Sequence, residues 1–122
     1  MIFGSHAPVT FGLRSVDNVR AVTYKLHMIE VRQHPDFKAW LDALRDKAAQ
    51  RKIAQRIVRV QAGLLGDAKF FGGIGELRVD FGPGYRIYFV KRGTEIVILL
   101  CGGDKSSQRK DIIRARKLAE EV

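Results

Sequence analysis

Two periods of apolar residues run through this chain, and the switch between them predicts its elements. Leu77, Val79 and Phe81 alternate with Glu76, Arg78 and Asp80, the period-two pattern of a half-buried strand. Gly82-Pro83-Gly84 then predicts a turn, because glycine permits positive φ and proline presets φ at a corner. A return strand follows over residues 85–91, with Ile87 and Phe89 on one face. After a second turn at Arg92-Gly93-Thr94, residues 95–101 form a third strand. It is apolar at every position from Ile96 to Cys101, which predicts cover on both faces at the centre of a sheet.

Elsewhere the period is helical. Phe37, Trp40, Leu41 and Leu44 recur at i, i+3, i+4 and i+7 after the start signal His34-Pro35-Asp36. A second helix over residues 47–62 has the stripe Ala49, Ile53, Ile57, Val60 and Leu64, with Gly63 and Gly66 as its stop. Lys52, Arg56 and Arg59 lie on another of its faces, joined by Lys47 and Arg51; this pattern suits a solvated face, phosphate contact or an acidic partner. Residues 68–75 read as a loop; Gly72, Gly73 and Gly75 precede a strand, so a nucleotide-binding loop fails on context. Asp104, Ser106 or Ser107 can cap a last, strongly basic helix with Ile112, Ala115, Leu118 or Ala119, and Val122 on its apolar stripe. Alternation over residues 22–33 predicts the first strand. Residues 1–21 keep no period and read as a peripheral N-terminal extension, with Met28 as an alternative start. The predicted order is β-α-α-β-β-β-α over residues 22–122. This is a small single α+β domain: an antiparallel sheet with two helices packed on it and a C-terminal helix.

Charge adds a constraint on partners. Lys and Arg number 22 against 13 Asp and Glu, a formal net charge of +9, which points to a polyanion, an acidic protein, or both. The one cysteine, Cys101, lies in the most apolar strand, so no disulfide framework exists and a cytoplasmic setting is the simpler expectation. No apolar run approaches the ~20 residues of a membrane span, and residues 1–20 lack the apolar segment of a secretory signal. Neither a metal site nor a serine hydrolase is supported: His6, His27 and His34 all fall in the first third, at no ligand spacing.

If Leu77, Val79, Ile87 and Phe89 face the core, Arg78, Asp80, Arg86 and Tyr88 face away. A three-residue turn would set Asp80 opposite Arg86 and Arg78 opposite Tyr88. Lys105 follows the central strand through Gly102-Gly103 and could come close. Such a set suits a phosphate-bearing ligand. Metal-free cleavage of RNA needs only this much: the 2′-hydroxyl is the nucleophile, and the protein holds the backbone, neutralises charge and moves two protons. The proton work would fall to Asp80, Tyr88, Asp104 or Lys105. Arg86, Arg78 and Lys105 are the candidate catalytic residues, and Lys69, Tyr88 and Arg109 the candidate RNA contacts; no cofactor is called for.

The strings Glu76-Leu-Arg-Val-Asp-Phe-Gly-Pro-Gly-Tyr-Arg-Ile-Tyr-Phe and Leu99-Leu-Cys-Gly-Gly-Asp-Lys-Ser-Ser-Gln, with Phe37-Lys-Ala-Trp-Leu-Asp-Ala-Leu-Arg-Asp before them, resemble the addiction-module killer proteins. These are HigB/RelE-like toxins of type II toxin–antitoxin pairs, in the RelE/ParE superfamily. The resemblance implies an mRNA endonuclease (mRNA interferase) that inhibits translation, acts on the ribosome, and is neutralised by a cognate antitoxin, here a helix-turn-helix protein. It matches Arg86 to that family's return-strand arginine, Arg78 to a first-strand basic position and Lys105 to a post-strand one. Asp80 stands where the RelE branch has a second lysine, and no aromatic stands near Asp111 or Ile112, so its acid–base roles do not transfer. The alternatives are a ParE-like topoisomerase inhibitor and a non-catalytic module that binds nucleic acid or antitoxin.

Overall fold

The computed structural model describes residues 28–122. The extension over residues 1–21, the start of the expected first strand, and His6 and His27 lie outside the described residues.

The first two helices begin where the sequence supplies caps. Strand β1 (Glu30–Gln33) leads to His34, whose Nδ1 accepts the Asp36 N–H at 3.0 Å, and Pro35 opens α1 (Pro35–Ala43). Asp46 accepts the N–H groups of Ala48 and Ala49 at 2.9 and 3.2 Å and so caps α2 (Lys47–Gln61). Ala49, Ile53, Ile57 and Val60 are buried as the period requires. Leu64 is not: α2 has ended, Gly63 turns the chain at φ 87°, and Leu64 is 55% exposed.

Four further strands follow, β2 (Ala68–Phe71), β3 (Ile74–Val79), β4 (Tyr85–Arg92) and β5 (Ile96–Asp104), then a 3-10 turn (Lys105–Ser107) and α3 (Gln108–Ala119). The sheet order is β1-β5-β4-β3-β2, antiparallel except that β1 runs parallel to β5. This is the expected small α+β domain with one strand more. Residues 68–71, expected in a loop, pair with β3 through a two-residue turn in which Gly72 and Gly73 take φ of 47° and 99°. Paired positive φ values suit a tight hairpin.

The sheet is covered on both faces. Phe37, Ile53, Val60, Leu77, Ile87, Phe89, Val97 and Leu99 fill the space under α1 and α2; Ile74, Tyr88, Val90, Leu100, Ala115 and Leu118 fill the space under α3. Each such large side chain stabilises the fold by ~1.5–3 kcal/mol. Strand β5 is apolar from Ile96 to Cys101 because both its faces are covered, Val97 and Leu99 lying under α1 and α2 and Ile98 and Leu100 under α3, with one irregularity near its end. Tyr88 pairs with Cys101 but Phe89 pairs with Leu99, so Leu100 bulges, and both Leu100 and Cys101 join the α3 side. Gly102 leaves room for the Trp40 ring, which a Cβ there would strike.

The β3–β4 hairpin differs from the expected register. Arg78 pairs with Arg86, Glu76 with Tyr88, and Val79 with Tyr85. The connection spans residues 80–84, because the Phe81 N–H bonds the Val79 carbonyl at 2.8 Å and the Gly84 N–H bonds the Phe81 carbonyl at 3.1 Å. Asp80 therefore sits in the loop rather than opposite Arg86.

Candidate functional site

The β3–β4 hairpin and the 3-10 turn after β5 enclose a cleft of about 470 Å³. Arg78, Arg86 and Lys105 all line it, together with Asp67, Asp80 and Tyr85. The three residues expected to carry the chemistry thus share one cavity. Gly84 lies between two of them: with φ 82° and no side chain, it leaves the Arg86 guanidinium and the Lys105 stem close on either side.

Beneath the cleft lies a buried carboxylate that period-two reading left on an exposed face. Glu76 has no exposed surface. Its Oε2 accepts the Gln108 side-chain N–H at 2.8 Å, and its two oxygens stand 3.5 Å from Arg78 Nε and 3.7 Å from Arg86 Nε. Burying a carboxylate is costly unless it is paired and hydrogen-bonded, and these groups supply both. The Arg86 Nη1 donates to the Gly84 carbonyl at 2.8 Å, while its buried Nε makes no hydrogen bond. Arg86 is therefore fixed, only 12% exposed, whereas Arg78 is 30% exposed and Lys105 open. The missed signal was α3. With α1 and α2 on one face, a third apolar stripe has only the other face to cover.

The same helix corrects the expectation for Tyr88. Its side chain is fully buried and belongs to the core under α3, so it does not stand on an open face. Burial, and then the neighbouring Glu76 carboxylate, push its phenol well above the ordinary tyrosine range. Asp104 is engaged too. Its carboxylate caps the 3-10 turn, accepting from the Ser106 hydroxyl and N–H, bonds that hold it below the usual aspartate range. Of the residues weighed for proton transfer, Asp80 and Lys105 line the cleft, and Tyr85, which the sequence reading passed over, joins them. Tyr85 meets the Trp40 ring edge-on at 6.0 Å, so α1 orients it.

Lys69 is exposed on β2, across from Glu76 but outside the cleft lining. Arg109 is exposed on α3 and lines a separate depression with Ser106, Ser107, Lys110 and Ile113. Asp111, near where the resembled family carries an aromatic, packs against Gly103 and accepts the Ser107 hydroxyl. Arg56 of α2 braces the cleft wall, donating from Nε to the Arg78 carbonyl at 3.0 Å and from Nη2 to the Asp67 carbonyl at 2.9 Å. No group of three or more His, Cys, Asp or Glu that could hold a metal occurs among the described residues, and no helix there is long and apolar enough to cross a membrane.

Fold and site together define a basic α+β domain built around a cationic cleft. The chain belongs to the family described as phage derived protein Gp49-like (DUF891), whose sequence profile matches residues 39–120, a span that holds the whole cleft. It is also similar to an uncharacterized protein of Haemophilus influenzae (strain ATCC 51907 / DSM 11121 / KW20 / Rd). The two are 47% identical over 95 residues, 77% of this chain and 96% of that one.

Proposed function

We propose that this chain is the toxin of a type II toxin–antitoxin pair of the RelE/ParE kind, and that its cleft holds and cleaves mRNA without a metal. One observation carries the reading: Arg78, Arg86 and Lys105 converge on a single open cleft. A guanidinium fixed from below is pre-set to receive a phosphate and the charge that develops when a 2′-hydroxyl attacks it. Arg86 takes that role. Arg78 and Lys105 hold the flanking oxygens, and Asp80, Tyr85 or Lys105 moves the protons. The substrate is mRNA on the cytoplasmic ribosome, and the partner is a helix-turn-helix antitoxin encoded beside this chain.

The test is induction with and without the neighbouring reading frame, followed by mapping of RNA 5′ ends. Growth arrest with new 5′ ends inside coding sequence, relieved by the neighbour, is the expected result. Intact mRNA with a DNA-damage response would overturn it in favour of topoisomerase inhibition.

A further inference from the structure

We propose that the basic face of α2 extends the cleft into a track for single-stranded RNA, with Lys52 and Arg59 holding the strand where it leaves past Asp80. This rests on the reading of the cleft above. A second depression, of about 200 Å³, is lined by Lys52, Gln55, Arg56, Arg59, Arg78, Val79 and Asp80. Arg78, Val79 and Asp80 are also walls of the cleft, so the two hollows adjoin at the end of β3, and we read them as one groove. Along it stand six cations, Lys52, Arg56, Arg59, Arg78, Arg86 and Lys105, against the carboxylates of Asp67 and Asp80.

Helix α2 is composed for this use. Its sequence KAAQRKIAQRIVRVQ holds five cations and no carboxylate, although an ordinary solvated helix gains stability from interspersed acid–base pairs. Lys52 and Arg59 are exposed and, among the described residues, form no ion pair. They stand seven positions apart, ~10 Å along the helix axis. The Lys52 ammonium lies 6.0 Å from the Phe81 ring centre, and Arg56 ties the helix to Arg78 and Asp67, so the two halves of the groove keep a fixed spacing. Continuity with the cleft favours a nucleic-acid strand over an acidic protein, and Tyr85 offers a ring for an unpaired base.

The test is fluorescence anisotropy of a 2′-O-methyl oligoribonucleotide, which cannot be cleaved because its nucleophile is blocked. Lys52→Ala with Arg59→Ala is expected to weaken binding about tenfold at low salt. It should also lower the slope of log K against log salt by about 1.4, the share of two phosphate contacts on a single strand. Lys91→Ala with Lys117→Ala, also exposed but absent from the lining of both hollows, should change neither. Lys52→Arg with Arg59→Lys should restore both. Unchanged affinity and slope in the α2 variant, with weakening by Lys105→Ala, would overturn the track while leaving the cleft in place. No weakening by either variant would overturn both. Loss of antitoxin binding with unaltered RNA binding would assign α2 to a protein partner and overturn the proposal.

Discussion

Replacing Glu76 by Gln keeps the side chain's shape and removes the charge from between two guanidiniums. Breaking a buried ion pair by deleting one partner costs ~3–5 kcal/mol. Here the side chains of Arg78 and Arg86 retain 30% and 12% exposure, so water recovers part of the loss and the low end applies, ~3 kcal/mol. At roughly 4–8 °C per kcal/mol for a domain of this size, Tm should fall by about 12–24 °C. The urea midpoint should fall by about 1.5 M if the slope is near 2 kcal/mol/M. Trp40, the only tryptophan, reports unfolding from its contacts with Phe37 at 5.8 Å and Tyr85 at 6.0 Å. Adding Gln108→Glu, which returns a carboxylate to the cluster, should recover part of the loss. A cost below ~1 kcal/mol for Glu76→Gln would refute the reasoning, because both arginines would then need no buried counter-charge.

Other substitutions test single contacts. Gly102→Ala drives a Cβ into the Trp40 ring; it should destabilise by ~1–3 kcal/mol and shift the native tryptophan emission. Burial pushes the Cys101 thiol up to about 12. Its neutral form therefore contributes stability that is full below the unfolded value of ~8.5 and lost as pH rises toward the folded value, and Cys101→Ala should flatten this alkaline limb. Native Cys101 should resist alkylation at pH values where the unfolded thiol reacts. Bonds from Ser106 hold the Asp104 carboxylate low, so its contribution is present above the unfolded value of ~3.9 and lost as pH falls through the folded one. Asp104→Asn should remove that part of the acid-unfolding curve.

The parts legible in the sequence are those with one dominant cause. The stripe of α2 from Ala49 to Val60 and the inward positions of β3 and β4 follow from periodicity alone. The convergence of Arg78, Arg86 and Lys105 was legible because two lie in paired strands and the third follows the next strand through a short glycine loop. Residues 68–71 were misread because Gly72-Gly73 suggested a loop, whereas two consecutive positive-φ residues between strands make a hairpin turn. The Asp80–Arg86 pairing failed because backbone bonds within residues 79–84 lengthen the connection, which shifts every cross-strand partner. Glu76 and Tyr88 escaped for a tertiary reason. Alternation predicts which residues share a face, but α3 decides that their face is covered.

That buried carboxylate also determines how the cleft should be probed. Arg86→Ala would strand Glu76 and confuse loss of fold with loss of function. Arg86→Lys keeps a positive charge beside Glu76 and forfeits the planar fork that meets a phosphate. The decisive measurement is therefore the yield of new mRNA 5′ ends after induction of wild-type protein and Arg86→Lys at equal folded amounts. If Arg86 stabilises the charge that develops on the phosphate, the yield should fall about a hundredfold or more. Wild-type yield from folded Arg86→Lys would contradict that role.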